Sequence, residues 1–438
     1  MILINGNIVP SSMQNKILEE LPSMLNQTLA TQSLNPYWVI DACDKLSKKL
    51  ANGDYHHLIS SLPIDQNLVK EQLHTVIHML QKESLLCKLH TELGPRPFEP
   101  ETIVPPFEKK AIIKHTYPLG VLFHIAAGNV DGLPAYSVVE GLLAGNINIL
   151  KLPQADQDFS ITLLAELIAA EPRLKDYIYV FDTPSTDLEA MKYMAKLSDG
   201  VVVWGGDLAV AAIRKMVAPG TKLIEWGHKL GFAYIVPNAI TDSALTALAQ
   251  HIFKTKQLLC SSCQTIYIDT ENMKEVYHFC ETFLPLMEQA ALKYPINDIG
   301  AVAQSTLQVY NAELENLFST SRTFKGESTS LIAKTDNTLE LSFMFGNCLV
   351  KPLPRYQLLE TLRQSKPYLQ TAGLLCLAED YPILSNLLLR AGIVRVKELG
   401  EMSGMTCTDA HDGDYPLRRY TKITECDAMD FNILTFHK

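Results

Sequence analysis

Between residues 120 and 236 the sequence repeats one pattern: a short apolar run, a turn, then a longer apolar stretch of helical period. Gly120–Ile125, Ile147–Lys151, Tyr177–Phe181, Val201–Trp204 and Phe232–Val236 read as strands. Pro134–Leu143, Phe159–Ala170 and Ala209–Val217 read as the helices between them. A strand without polar alternation has to be buried on both faces, and parallel strands need crossover helices, so the pattern predicts a parallel sheet covered on both sides. Helical periods at Ser243–Phe253, Met273–Leu292 and Ile383–Leu389 follow, with apolar runs at Thr265–Ile268, Leu331–Ala333, Asn347–Pro352, Gly373–Leu377 and Gly392–Val396. These extend the same α/β logic into a second domain.

Ahead of the repeats, residues 2–9 read as a hairpin about Asn5-Gly6, and Gln14 to His90 as helical. Five prolines in residues 92–107 mark a linker or extended arm. The resulting division is an N-terminal hairpin and helical region (1–100), α/β domains at 101–229 and 230–399, and a C-terminal tail (400–438) of little periodicity.

A net charge of −10 argues against nucleic acid as a partner, since phosphate binding needs a basic face. Nine cysteines, an odd number scattered from Cys43 to Cys426, do not make a disulfide framework and fit a reducing cytoplasm. Met1–Gly6 has no cationic segment before its apolar residues, and no apolar run approaches the ~20 residues of a membrane span. His74 and His78 have the i,i+4 spacing of a helical metal site. Without an HExxH context, that pair, like His56-His57, reads as surface or satisfied histidine, and no metal is expected.

One short stretch carries chemistry of its own. Lys256–Gln264 sets a thiol, Cys260, beside Ser261 and Ser262, immediately before the alternating run Thr265-Ile266-Tyr267-Ile268. A thiolate is a strong nucleophile toward carbonyl carbon and a fair leaving group, and strand entry can hold it in place. Three readings stay open on these residues alone: a nucleophile, an inert buried Cys, or half of a Cys260-x-x-Cys263 redox or metal pair. No second closely spaced pair exists to complete a four-thiolate zinc site.

Ordered blocks place the chain further. They are His124–Asn129; Gly141–Asn146 with Leu150–Pro153; Val203–Gly206; Glu225–Lys229; Cys260–Ser262; and His411-Asp412-Gly413. Together, over roughly residues 100–415, they resemble the aldehyde dehydrogenase superfamily, and within it the acyl-CoA reductases typified by the fatty-acid reductase subunit of bacterial luminescence systems. The resemblance implies an aldehyde-dehydrogenase-like fold, with two doubly wound α/β domains and the reacting groups at their junction. It implies NADPH-dependent reduction of an acyl thioester, on CoA or an acyl carrier, to an aldehyde. Alternatives are an aldehyde oxidant making the acid, and a non-catalytic acyl-holding subunit of a multienzyme assembly. A homo-oligomer is the family's default.

The same resemblance assigns roles. Cys260 is the nucleophile, and Cys263 falls where the luminescence reductases have proline. The Asn129 amide and the backbone N–H of Cys260 are the oxyanion donors; otherwise Asn129 is a turn residue. Glu225 aligns with the water-activating base of hydrolytic relatives, but in a reductase it relays a proton or is only a polar neighbour. His228 stands where the wider superfamily has glycine, and is either a proton donor or a surface turn residue. Lys151 and the pair Gly205-Gly206 would hold the dinucleotide, the lysine near the adenosine ribose and the glycines before a helix N-terminus. Otherwise Lys151 is a snorkelling strand-end cation. Gln154 replaces a glutamate common in NAD-preferring relatives; a neutral residue does not repel a 2′-phosphate, which favours NADPH and leaves NADH open. Phe343-Met344-Phe345-Gly346 keeps only the Phe-Gly of a Glu-x-Phe-Gly nicotinamide-ribose motif.

Overall fold

The computed structural model describes residues 1–31, 33–55, 66–107, 111–126, 132–154, 156, 158–316, 321–404 and 406–427, with residues 66–72 and 316 as backbone only. The chain forms two compact units, Met1–Gly227 with Thr406–Lys438, and His228–Met405. The segment from Thr406 therefore folds with the first unit.

In the first unit the strands are β1 (Ile2–Ile4), β2 (Asn7–Val9), β3 (Glu101–Ile103), β4 (Ile112–Pro118), β5 (Val121–Ile125), β6 (Ile147–Lys151), β7 (Ile178–Phe181), β8 (Gly200–Trp204) and β9 (Lys222–Trp226). Seven of them form one sheet in the order β2-β1-β7-β6-β5-β8-β9. The run β7-β6-β5-β8-β9 is parallel, and the β1-β2 hairpin adds antiparallel at Leu3↔Val180. From β5 the chain steps outward through β6 and β7, then returns to the other side for β8 and β9. That reversal makes a switch point between β5 and β8, the place where open α/β sheets bind ligands beyond the strands' carboxyl ends. Strands β5 to β8 are buried almost throughout, as their non-alternating sequences require.

One buried polar group belongs to this core. His124 Nε2 donates to Asn148 Oδ1 (3.0 Å), while its Nδ1 accepts from Ser137 Oγ (2.8 Å). Ser137 in turn accepts from Trp204 Nε1 (3.2 Å). His124 thus serves the packing of the sheet. Burial pulls its pKa down to about 4, and burial with Lys254 nearby does the same to His251 in the second unit. Both rings are neutral when folded and protonate near pH 6.5 when unfolded. The stability they contribute is present above about pH 6.5 and lost as pH falls toward 4, roughly 3 kcal/mol for each ring. Urea unfolding of the wild type and of His124→Gln between pH 7 and 4.5 checks this: the variant should have the flatter profile, and equal slopes would contradict the assignment.

The second unit holds β10 (Leu230–Ile235), β11 (Cys263–Ile268), β12 (Arg322–Lys325), β13 (Ser330–Ala333), β14 (Asn347–Pro352), β15 (Leu369–Leu375) and β16 (Arg395–Lys397). Their order is β12-β13-β14-β11-β10-β15-β16, with only β12 antiparallel to its neighbour. The helices Asp242–Thr255 and Met273–Lys293 pack their apolar faces on this sheet. Both sheets are doubly wound, and the fold class is α/β.

Back in the first unit, β17 (Thr421–Asp427) pairs antiparallel with β4 along seven residues, and β3 completes this small sheet. The proline-rich arm therefore contributes a short strand, and the tail a regular one. Three further differences from the sequence reading stand out. Lys222–Trp226 and Arg322–Lys325 are strands, and Ile299–Asn316 is a helix.

Candidate functional site

The nucleophile segment lies wholly in the second unit. The helix Asp242–Thr255 ends at Lys256, and Lys256 (φ +49°) and Gln257 (φ +62°) both turn left-handed. For residues with a Cβ such backbone costs on the order of 1–3 kcal/mol each and persists only where surroundings enforce it. Next comes a tight turn, in which Ser262 N donates to Leu259 O (2.9 Å) and Leu259 N to Ser262 Oγ (3.1 Å). Cys260 and Ser261 are its central residues, and β11 begins directly after. The Cys260 thiol is exposed. Ser261 beside it is buried and shares a hydrogen bond with Ser403 Oγ (2.8 Å).

Cys263 is different in kind. It is fully buried in β11, and burial pushes its thiol up to about 12. A group so placed has almost no thiolate near neutral pH, so it is a packing residue.

The turn is fastened to the segment before β14. Gln257 and Gln264 are buried, and Gln257 Nε2 reaches Cys263 O (2.9 Å), Ser342 Oγ (3.0 Å) and Cys348 Sγ (3.2 Å). Gln257 Oε1 accepts from Gly346 N (3.0 Å), while Gln264 Nε2 donates to Gln257 O (2.7 Å). Across from them Met344, Phe345 and Gly346 form a second left-handed corner (φ +57°, +50° and +87°). A Cβ on Gly346 would come within 2.6 Å of the Phe253 ring, so glycine is required twice over. None of Gln257, Gln264 or Ser342 has a sequence signal of its own; only the fold brings residues 78 to 89 positions apart together.

Gly231, at the start of β10, backs directly onto the turn. A Cβ there would lie 2.5 Å from Ser262 O and 2.7 Å from Ser261 O, both backbone atoms. Gly231→Ala must therefore displace the turn or the strand. The expected result is a loss of about 1–3 kcal/mol in urea unfolding together with slower modification of Cys260 by an acyl thioester. Wild-type values for both would contradict this packing.

His228 is exposed, leads into β10, and has its ring 6.2 Å from that of Tyr368. Since β10 and β11 are adjacent and parallel, His228 and Cys260 lie at the same, amino-terminal edge of the second sheet.

The dinucleotide candidates lie in the first unit. Lys151 ends β6, buried, its Nζ donating to Ser185 Oγ (2.9 Å), and burial lowers its pKa. No carboxylate among the described residues pairs with it. Gln154 is exposed just beyond. Gly205 and Gly206 follow β8 and lead into the helix Asp207–Met216; a Cβ on Gly206 would meet nothing within 4 Å, so the backbone there is open to a ligand. Lys151, Gly205 and Gly206 thus gather at the carboxyl end of one sheet. The same end is walled by Trp204, Trp226 and His411, whose ring stands 4.8 Å from each indole. These fit a dinucleotide: a buried cation without a carboxylate, a switch point and an open helix N-terminus, the last partly neutralised by Asp207.

Glu225, also in the first unit, is engaged by Arg214, whose Nε donates to Oε1 (2.9 Å) and Nη2 to Oε2. Asn129 lies outside the described residues, as do His56 and His57. His74 and His78 are exposed, their Nε2 atoms 3.2 Å apart, and no group of three or more acidic, His or Cys side chains able to hold a metal occurs among the described residues. No helix among them is long and apolar enough to cross a membrane.

Comparison with known proteins agrees with the fold. The methylmalonate-semialdehyde dehydrogenase DddC of Oceanimonas doudoroffii superposes with a TM-score of 0.73 at 14% identity, covering 97% of each chain. An NADP-dependent enzyme of E. coli gives 0.74 at 14% identity, covering 98% of this chain and 97% of that one. The long-chain acyl-protein thioester reductase of Aliivibrio fischeri is 25% identical over 334 residues, 73% of this chain. That match spans 66% of the relative's own length, less than two thirds. The family model for acyl-CoA reductase (LuxC) matches residues 30–423. With nearly its whole length matched and an aldehyde dehydrogenase fold beneath it, this chain belongs to the acyl-CoA reductase (LuxC) family.

Proposed function

We propose that the protein reduces an acyl thioester to an aldehyde through an acyl group carried on Cys260. The observation that carries this reading is an exposed thiol at the centre of a tight turn with a buried, hydrogen-bonded base, in a chain of the acyl-CoA reductase family. The thiolate of Cys260 adds to the thioester carbonyl, the donor thiolate leaves and takes up a proton, and the acyl group stays on sulfur. A reduced nicotinamide, when bound, supplies the hydride. The acyl carbon takes the hydride with its two electrons, leaving an oxyanion on the Cys260-bound carbon; that oxygen re-forms the carbonyl as the carbon–sulfur bond breaks, releasing the aldehyde and the Cys260 thiolate. Each addition builds negative charge on the former carbonyl oxygen; the Cys260 backbone N–H and the Asn129 amide are assigned to it. His228, at the same sheet edge as Cys260, is assigned to proton delivery.

Lys151 and Gly205-Gly206 are the assigned dinucleotide contacts. Lys151 is a buried cation with no carboxylate partner among the described residues, and Gln154 beyond it is neutral, which favours a 2′-phosphate and hence NADPH over NADH. The donor is a fatty acyl group on CoA or a carrier protein, and nine cysteines with no disulfide among them suit the reducing cytoplasm. Glu225 held by Arg214 is poorly placed to activate water, which supports reduction over hydrolytic oxidation.

Product analysis tests the reading. With decanoyl-CoA and NADPH, one aldehyde and one free CoA should form per NADPH consumed. Decanoate with no NADPH oxidation, or acid made from aldehyde without CoA, would overturn it.

A further inference from the structure

Resting on the reading of Cys260 above, we propose that Gln257 and Gln264 form an amide clasp that positions the thiol, with Gln257 as the principal positioning residue. The two side chains close the base of the loop 258–262 from opposite ends. Gln257 Nε2 donates to Cys263 O (2.9 Å), and Gln264 Nε2 donates back to Gln257 O (2.7 Å). Each reaches across the loop to the other's end of the backbone, so the loop cannot widen without breaking both bonds. Ser342 ties the pair together, accepting from Gln257 Nε2 (3.0 Å) and donating to Gln264 Oε1 (2.7 Å). The remaining acceptor, Gln257 Oε1, takes Gly346 N (3.0 Å).

Two contrasts set this apart from ordinary core hydrogen bonding. First, the clasp is buried, with Gln257 and Gln264 at 1% and 2% exposure, while the thiol it frames is exposed. Buried amides satisfied at both ends hold geometry tightly because every alternative arrangement leaves a polar atom unpaired. Second, the clasp joins two corners of left-handed backbone, Lys256-Gln257 and Met344-Phe345-Gly346, which are also linked by Phe345 N to Lys256 O (3.3 Å). Neither corner would keep that conformation alone. The clasp acts through the backbone and touches no reacting atom.

The consequence separates positioning from mere support of the fold. A small electrophile needs only an exposed thiol, whereas transfer from a bulky thioester needs the thiol at one place and angle, and a displacement of about 1 Å costs roughly 100-fold. In folded Gln257→Ala, acylation of Cys260 by decanoyl-CoA should fall about 100-fold, while alkylation of Cys260 by iodoacetamide, followed by peptide mass spectrometry, should stay within about threefold. Gln264→Ala should behave alike, and the double variant should be little worse than either, as expected for one unit. Should Gln257→Ala not fold, Gln257→Glu keeps the acceptor for Gly346 N but loses both amide donors, and carries the same expectation. Acylation within about threefold of wild type in either folded variant overturns the clasp, as does a parallel fall of acylation and alkylation. A wild type that decanoyl-CoA does not acylate at Cys260 would instead sink the functional reading beneath it.

Discussion

Cys260→Ala is expected to take up no acyl group from a thioester and to lose at least about 1,000-fold in aldehyde formation, the scale seen when a covalent nucleophile is removed. Cys263→Ala should still acylate. The contrast follows from placement: three residues apart in sequence, one sulfur is exposed on the turn and the other sealed in β11 with its thiol held protonated. Intact-mass measurement after exposure to decanoyl-CoA without nicotinamide reads both variants in one experiment. An acyl adduct on Cys260→Ala, or its absence from Cys263→Ala, would break the assignment.

The largest expected effect on stability lies in the first unit. Lys88, on the helix Lys82–Leu93, is buried and paired with two buried carboxylates, Glu92 (2.7 Å) and Glu140 (3.0 Å). Glu92 Oε2 also accepts from Leu417 N (2.8 Å), which anchors the returning C-terminal segment. In Lys88→Met both carboxylates stay buried without a cation, and a broken buried pair costs about 3–5 kcal/mol. Burial already raises the Glu92 pKa against the pull of Lys88, so protonation favours the folded state. Relief is therefore greatest at low pH and is lost as pH rises through the folded-state value, a range that removing Lys88 moves upward. Unfolding free energies at pH 8 and pH 5 should show the larger deficit at pH 8. A deficit below about 1 kcal/mol at pH 8 would mean that the lysine adds little to this cluster.

What the sequence made legible follows the physics of burial. Strands β5, β6, β7 and β8 are buried on both faces, so their apolar runs stand out and the parallel sheet could be read directly. Strands β4, β9 and β17 interleave Lys, His, Glu and Thr, and their strand character comes from pairing with distant partners. The helix Ile299–Asn316 was hidden for a related reason: Ile299, Leu307 and Leu314 are exposed while Ser305 is buried, which blurs its apolar face.

The candidate residues divide in the same way. Cys260, Lys151 and the Gly205-Gly206 pair sit at strand ends or turns, where short motifs mark them. Glu225 was legible as a residue, but its engagement by Arg214 was not, because that depends on the helix Asp207–Met216 folding back beside β9. The amide clasp left no trace in sequence spacing, since Ser342 and Gly346 reach Gln257 only through the order of strands in the second sheet.

The most direct test isolates the intermediate. Protein acylated by decanoyl-CoA is freed of excess donor, then mixed with NADPH in a single turnover while intact mass and product are followed together. The account predicts that the adduct on Cys260 disappears as one equivalent of decanal and one of NADP⁺ appear. An adduct that persists in NADPH, or that leaves only as decanoate, would contradict it.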